Sequence, residues 1–376
     1  MNIVVVGGGA GGLPLVTKLG KRLGKRGLAN ITLVDASASH IWKPRFHEVA
    51  TGAIDSDLDA VDYRAHAHQN YYNFSKGRMS GLDRDKKEII LEPATGSSGK
   101  EILPERRIPY DYLVITVGSL GNDFNTKGVR DHCLFLDTRE QADRFHERFL
   151  NHCLSADFYR DTVSVAIVGG GATGVELAAE IHHAIALLKL YGHKELDRSR
   201  LQVHVIEAGP RLLPALSEQI ASAAQTELEN MGVKVHTGTM VKQADEQGFI
   251  TGDGERIDAG IKAPDVVGQW GLEVNRINQL LVDPNLQTAD SAIFAIGDCC
   301  ACELAEGKNV PPRAQSAQQM ANHTAANLQR IVNGQPLKPF KYRDHGSLVS
   351  LSEYSALGNL MGSVRGGSFF IEGWMA

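Results

Sequence analysis

Short runs of β-branched residues alternate along the chain with longer stretches in which apolar residues recur every three or four positions. Ile3 to Val6 is an unbroken apolar run, the mark of a parallel strand buried on both faces. A glycine turn follows, then an amphipathic helix with Pro14 in its first turn, where a missing N–H costs little. Ile31 to Val34 predicts a second strand, ending at Asp35. The same order returns later as a strand over Val163 to Val168, a glycine turn, an apolar helix over Val175 to Leu190, and a strand over Leu201 to Ile206 ending at Glu207. Two copies of one strand–helix–strand unit indicate a duplicated α/β architecture, not a solenoid.

Between and after the copies the pattern shortens. Lys87 to Leu91 and Tyr110 to Val117 read as strands, with a loose hairpin tip over Thr95-Gly96-Ser97-Ser98-Gly99. "VKVHTGTMVKQADEQGFITGDGERI" reads as a β-meander turning at Gly252-Asp253-Gly254. "AIFAIGDCC" is a strand ending in Gly297-Asp298, and "PPRAQSAQQMANHTAANLQRIV" is a helix of about five turns started by its prolines. His345 to Ala376, rich in glycine, serine and aromatic residues, reads as strands and turns.

The glycine turns carry the chemistry. Gly7-x-Gly9-x-x-Gly12 follows a strand, opens a helix, and has Asp35 closing the next strand. In such a turn one glycine makes the tight bend, one lets a diphosphate approach the backbone, and one packs helix against strand. The helix N-terminus adds unpaired N–H groups for the phosphates, and Asp35 would accept from ribose hydroxyls. Gly169-x-Gly171-x-x-Gly174, with Glu207 as the acid, meets the same tests. A carboxylate at that place disfavours a 2′-phosphate, so NADH is expected over NADPH. Two dinucleotide cradles suggest a flavin and a nicotinamide exchanging hydride. Gly297 and Asp298 fit the flavin half: the glycine admits another group close to the backbone, and the carboxylate can accept from a ribityl hydroxyl.

Composition narrows the classes. The chain has 376 residues, 43% of them hydrophobic and 22% charged, enough for two domains with a large core. A net charge of −5 opposes a nucleic-acid footprint. Five cysteines in so long a chain fit a reducing compartment without structural disulfides. Met1-Asn2 runs straight into the first strand and no apolar run approaches membrane-spanning length, so a cytoplasmic protein, soluble or peripherally attached, is expected. Cys299-Cys300-x-Cys302 lacks the two separated pairs of a zinc site, and no metal is expected. The absence of a redox C-x-x-C pair near either cradle argues against a disulfide reductase. His47-Glu48 lacks the second histidine of a zincin helix.

The stretches "VVVGGGAGGLPL", "HIWKPRFHEVATG", "GNDFNTKGV", "VAIVGGGATGVELAAE", "RINQLLVDPNLQT", "FAIGDC", "PPRAQSAQQMA" and "DHGSLVSLS" span nearly the whole chain. Together they resemble the bacterial type II NADH dehydrogenases, single-subunit, non-pumping NADH:quinone oxidoreductases of the two-dinucleotide-binding flavoprotein superfamily. The resemblance implies non-covalent FAD at the first cradle, NADH at the second, and a membrane quinone of the respiratory chain as acceptor. It implies that Gly7, Gly9, Gly12 and Asp35 bind the ADP half of FAD. By the same resemblance Lys43 lies near the isoalloxazine, Thr116 and Gly118 flank the cofactor, and Asp298 contacts the ribityl chain. Gln315 and Gln319 match the family's quinone-site motif, and their i,i+4 spacing puts both amides on one helix face. Glu176 matches the carboxylate beside the nicotinamide, although a carboxylate in a first helical turn is also stabilised by the helix dipole.

This reading expects two Rossmann-like domains. Residues 1–122 and 276–334 form a discontinuous FAD domain, 123–275 the NADH domain, and 335–376 a small β-rich C-terminal segment. Two departures from the family pattern are expected to matter. In "GERIDAGIKAPD" an apolar strand of roughly 5–6 residues is missing before Gly260. Past "IEGWMA" the family continues into amphipathic helices that hold it on the cytoplasmic face of the membrane, so weaker attachment is expected here. A homodimer stays open. So do two rival functions, a soluble NADH:acceptor oxidoreductase and a nucleotide-binding homologue without catalysis.

Overall fold

The strand Asn2–Val6 is where the architecture begins, because its side chains are buried on both faces. It hydrogen-bonds in parallel to Asn30–Asp35 on one side and Tyr112–Ile115 on the other, with Val5 level with Leu33 and Val114. Asn73–Lys76 and Ile293–Ala295 complete a five-stranded parallel sheet. Parallel strands can be this apolar only when helices cover both faces. The helix Gly12–Arg22 buries Leu15, Val16 and Leu19 and lies against the helix Ala314–Val332. Its Gly20 is forced: a Cβ there would sit 1.9 Å from the Asn70 carbonyl oxygen.

This computed structural model describes residues 1–376 except 97–98, 122, 197, 246–247, 252–269, 276, 305–308, 352–354, 362–367 and 373–376. The chain divides into two compact units. The first comprises Met1–Lys43, Ala60–Leu120 and Ile261–Arg343, and contains the five-stranded sheet. It also holds an antiparallel sheet of Met79–Asp83, Glu88–Leu91 and Arg106–Pro109.

The second unit comprises Pro44–Asp59, Gly121–Gly260 and Asp344–Ala376. Its parallel sheet runs Val163–Val168, Leu201–Ile206, Lys234–His236. The helix Ala172–Leu190 is apolar nearly all round, burying Val175, Ala178, Ala179, Ile181 and Ile185. The helix Arg139–Tyr159 starts in a capping box, Thr138 accepting from the Gln141 N–H while the Gln141 side chain returns to the Thr138 N–H. Glu218–Met231 is capped by Ser217 and ended by Gly232 at φ 97°. A hairpin, Val241–Asp245 with Gly248–Thr251, and an antiparallel sheet of Gly346–Leu351, Ser355–Met361 and Ser368–Glu372 complete it.

Both predicted strand–helix–strand units are present, and two expectations need correction. The helix expected from Val175 begins at Ala172, because Gly171 is already its N-cap. The segment read as a meander opens with Lys234–His236, which pairs in parallel with Leu201–Ile206; the helix Glu218–Met231 carries the chain back to allow it. The Gly252-Asp253-Gly254 turn, the strand missing before Gly260 and the last residues of "IEGWMA" lie outside the described residues.

Two consequences for stability follow. Gly20→Ala must push the helix off the Asn70 backbone, and should cost about 1–3 kcal/mol, read as a lower thermal midpoint. His182 is 1% exposed on the helix Ala172–Leu190, and neither ring nitrogen has a hydrogen-bond partner. Burial, helped by Arg198, drops its pKa from 6.5 to about 4. As pH falls the unfolded chain takes up this proton first, so stability is intact above about 6.5 and drains away towards about 4. His182→Leu should flatten that part of the stability–pH curve, as measured by denaturant midpoints.

Candidate active site

In the first unit, the cradle is built from backbone held too close for side chains. Gly7 has φ +99°, and a Cβ on it would meet the Thr116 carbonyl oxygen at 2.3 Å. A Cβ on Gly12 would lie 1.8 Å from the Gly7 carbonyl oxygen, so only glycine lets the helix start directly over the strand end. At Gly9 nothing lies within 4 Å of where a Cβ would be; the loop is open there, as an approaching phosphate requires. The Gly8 N–H donates to Asp35 Oδ2 at 2.6 Å, and the Ser37 N–H donates to Oδ1 at 2.8 Å. Asp35 therefore fixes the loop as well as closing its strand.

Two participants escaped sequence reasoning. The Tyr63 hydroxyl, 2% exposed, donates to the Gly8 carbonyl at 2.9 Å, and a Cβ on Gly8 would collide with that hydroxyl. Nothing in the local pattern marks a tyrosine far along the chain as part of this turn. Gly8 was legible only as the x between two motif glycines.

Lys43, Ser119 and Asp298 come together elsewhere in the unit. Lys43 Nζ donates to the Ser119 carbonyl at 2.8 Å, and the Ser119 hydroxyl donates to Asp298 Oδ2 at 3.2 Å. Burial pushes the Asp298 carboxyl up, while Lys43 and the Ser119 hydroxyl draw it back. Gln279 secures the same residue through its backbone, its amide donating to the Asp298 carbonyl at 2.9 Å. Thr116 is buried under the cradle, its N–H bonded to the Val6 carbonyl, and Gly118 adopts φ +72° just beyond. Gly297, at φ +77°, donates its N–H to Met320 Sδ. The three cysteines that follow are buried thiols; burial pushes Cys299 up to about 12 and Cys302 up to about 11, which leaves them inert. No group of His, Cys, Asp or Glu fit to hold a metal ion occurs among the described residues.

Gln319 behaves unlike a free surface amide. Its Nε2 donates to the Arg343 carbonyl at 2.7 Å and its Oε1 accepts from the Arg343 N–H at 3.0 Å. It clasps the segment that follows the helix Ala314–Val332. Gln315 is partly buried one turn earlier on that helix.

The second unit repeats the first cradle closely. Gly169 has φ +114°, a Cβ on Gly174 would lie 2.1 Å from the Gly169 carbonyl oxygen, and Gly171 is open. The Gly170 N–H donates to Glu207 Oε2 at 2.7 Å, and the Gly209 N–H donates to Oε1 at 2.6 Å. Glu207 is only 3% exposed.

Glu176 falls at the fifth position of the helix Ala172–Leu190, so the first-turn position expected from the sequence is corrected to the second turn. Dipole stabilisation fades beyond the first turn, and its surroundings must be explained otherwise. The short helix Phe46–Thr51 packs on Ala172–Leu190 and brings His47 Nδ1 within 3.6 Å of Glu176 Oε2. His47 had no assigned role in the sequence. Only the fold reveals it, because the two residues lie far apart along the chain.

The chain is similar to several known proteins. Residues 1–321 match the model of the pyridine nucleotide-disulphide oxidoreductases. A type II NADH:quinone oxidoreductase of Haemophilus influenzae is 46% identical over 401 residues, covering 100% of this chain and 90% of that protein. One from Staphylococcus aureus is 27% identical, covering 96% of this chain and 90% of its own length. Among solved structures, NDH2 from Plasmodium falciparum in complex with NADH superposes with a TM-score of 0.83 at 19% identity, covering 99% of this chain and 91% of that one. The sulfide:quinone oxidoreductase of Aquifex aeolicus, at a TM-score of 0.72 and 19% identity, covers 99% of this chain and 87% of its own and shares the fold. With the family model matching most of its length, and a relative of that identity aligned along all of it, the chain belongs to the type II NADH:quinone oxidoreductases of the pyridine nucleotide-disulphide oxidoreductase family.

Proposed function

We propose that this chain oxidises NADH and reduces a quinone, using FAD held non-covalently in the first unit. The observation that carries the proposal is the duplicated cradle: each unit has a glycine loop in which the N–H of Gly8 or Gly170 is bound by the acid that follows on the next strand. The Haemophilus and Staphylococcus relatives carry the activity in their names, and the Plasmodium neighbour is a complex with NADH. Among the described residues no helix is long and apolar enough to cross a membrane, which suits a non-pumping enzyme that meets its quinone from one face. When bound, FAD would supply the two-electron relay between a hydride donor and the quinone.

The residues divide the work. Gly7, Gly9 and Gly12 would bring backbone N–H groups to the FAD diphosphate, and Asp35 would accept from ribose hydroxyls. Lys43, Thr116 and Gly118 would flank the ring system, and Asp298 would accept from the ribityl chain. The tight ties of Lys43 and Asp298 to Ser119 support a pre-formed site, since each side chain is already oriented. Gly169, Gly171 and Gly174 would cradle NADH. Glu207, its two oxygens already taking the Gly170 and Gly209 N–H groups, would face the adenosine ribose and exclude a 2′-phosphate. Glu176 would stand by the nicotinamide, orienting its carboxamide or holding a proton. Gln315 and Gln319 would donate to quinone carbonyls, Gln319 by releasing Arg343.

A visible flavin spectrum should accompany the purified protein, bleach on anaerobic addition of NADH, and return on addition of a soluble quinone. A flavin that stays oxidised in NADH sinks the reading. Fast bleaching without reoxidation by quinone replaces it with an oxidoreductase for another acceptor. Glu176→Gln should slow the NADH half-reaction while retaining flavin; lost flavin would mean the cradles are assigned the wrong way round.

Two further variants probe specificity and the acceptor side. Glu207→Gln loses one charge-assisted backbone bond and the repulsion of a 2′-phosphate. The NADH KM should rise by about 10-fold or more, and preference over NADPH should shrink. Gln319→Ala should slow reoxidation by quinone and leave bleaching by NADH unchanged; equal slowing of both half-reactions refutes its role.

A further inference from the structure

We infer that His47 is a positioning residue for Glu176, donating from Nδ1 to the Glu176 carboxylate and thereby setting its orientation and the pH range in which it works. The inference rests on the reading of Glu176 as the group beside the nicotinamide.

Four observations place the pair. His47 Nδ1 lies 3.6 Å from Glu176 Oε2 and has no hydrogen-bond partner of its own. His47 is 6% exposed, so water is a poor substitute for the missing partner. The two residues come from separate helices, Phe46–Thr51 and Ala172–Leu190, that pack directly on one another. The separation is just beyond a hydrogen bond, the looseness expected of a catalytic pair before its ligand tightens it.

The short helix that carries His47 is pinned on both sides. Arg45 is tied to Glu48 at 2.7 Å and lies 3.9 Å from Asp59, which draws the Glu48 carboxylate away from the imidazole. Glu48 Oε1 is left 3.9 Å from His47 Nε2. Gly52 ends the helix in a left-handed conformation at φ +81°, and His146 of the helix Arg139–Tyr159 fills the space where its Cβ would be. Arg139 of that helix pairs with Asp57 and Asp143. On Ala172–Leu190 the buried Glu180 follows Glu176 by one turn. Burial lowers the His47 pKa, against the opposing pull of Glu48 and the Pro44 carbonyl and with Arg45 assisting. The ring is therefore neutral near pH 7, and a neutral ring with its proton on Nδ1 donates without bringing a net charge.

Three substitutions separate positioning from packing. Asparagine puts an N–H close to where Nδ1 stands, glutamine puts one nearer Nε2, and leucine offers none. Each variant is purified with its flavin, and NADH half-reaction rates and steady-state kcat and KM are followed across pH. His47→Leu should lower the NADH half-reaction rate by roughly tenfold, as expected for coupled neighbours, and move the acid limb of its pH profile to higher pH. His47→Asn should restore most of the rate and His47→Gln little of it. In a Glu176→Gln background His47→Leu should add no further loss.

An unshifted pH profile in His47→Leu overturns the inference, and so does an additive loss in the double variant. If His47→Leu fails to retain flavin, the asparagine–glutamine pair decides: equal rates overturn the inference. Should Glu176→Gln alone leave the NADH half-reaction at the wild-type rate, the reading of Glu176 itself has failed. A slow Glu176→Gln beside a wild-type-like His47→Leu removes only the role of His47.

Discussion

The structure depends on one close approach, the third glycine of each cradle lying directly over the carbonyl of the first. In the first unit the clearance leaves no room for a Cβ, which would be 1.8 Å from oxygen, and in the second the figure is 2.1 Å. That contact fixes the angle at which the helix leaves the strand. The helix then covers the sheet, and its first N–H groups face the loop opening where a diphosphate can be held. Packing and chemistry are therefore one constraint. Enlarging the third glycine would disturb the core and the site together.

A second constraint holds the loop itself. The N–H of the residue between the first two motif glycines is bonded to the acid at the end of the neighbouring strand, Gly8 to Asp35 in one unit and Gly170 to Glu207 in the other. A charge-assisted bond of this kind is worth roughly 1.5–3 kcal/mol, and here it does two jobs. It anchors the turn to the second strand, and it fixes the orientation of the carboxylate proposed to meet the ribose. The duplication of a pairing this specific, in two units of one chain, is hard to reconcile with a chain that binds a single nucleotide.

The cradles were legible because their determinants are local: strand, glycines, helix and acid fall within residues 2–35 in one copy and 163–207 in the other, and the glycines keep the same spacing in both. The parallel pairing of the strands follows from the same short span. What the sequence did not disclose is long-range. Tyr63 under Gly8, His47 against Glu176 and Gln319 clasping Arg343 depend on contacts that no spacing rule encodes. The parallel placement of Lys234–His236 was obscured for a different reason. The helix Glu218–Met231 before it has clear ends in Ser217 and Gly232, and its apolar positions Ile220, Ala224, Leu228 and Met231 follow helical spacing. That signal lay in the chain and implied a crossover.

Two glutamates of the second unit show why an acid near a cradle is not one kind of residue. Glu207 has both oxygens engaged by backbone N–H groups and is nearly sealed from solvent. Backbone donors cannot rotate away or titrate, so its geometry is fixed by the fold, as the proposed discrimination between ribose and ribose phosphate requires. Glu176 stands one turn too deep for the helix N-terminus to govern it, and the imidazole of His47 faces it. A side-chain neighbour can shift, and its proton can change place with pH or ligand. The proposed specificity role of Glu207 calls for the first arrangement; the proposed place of Glu176 beside a reacting ring, where a group must respond as charge moves, calls for the second.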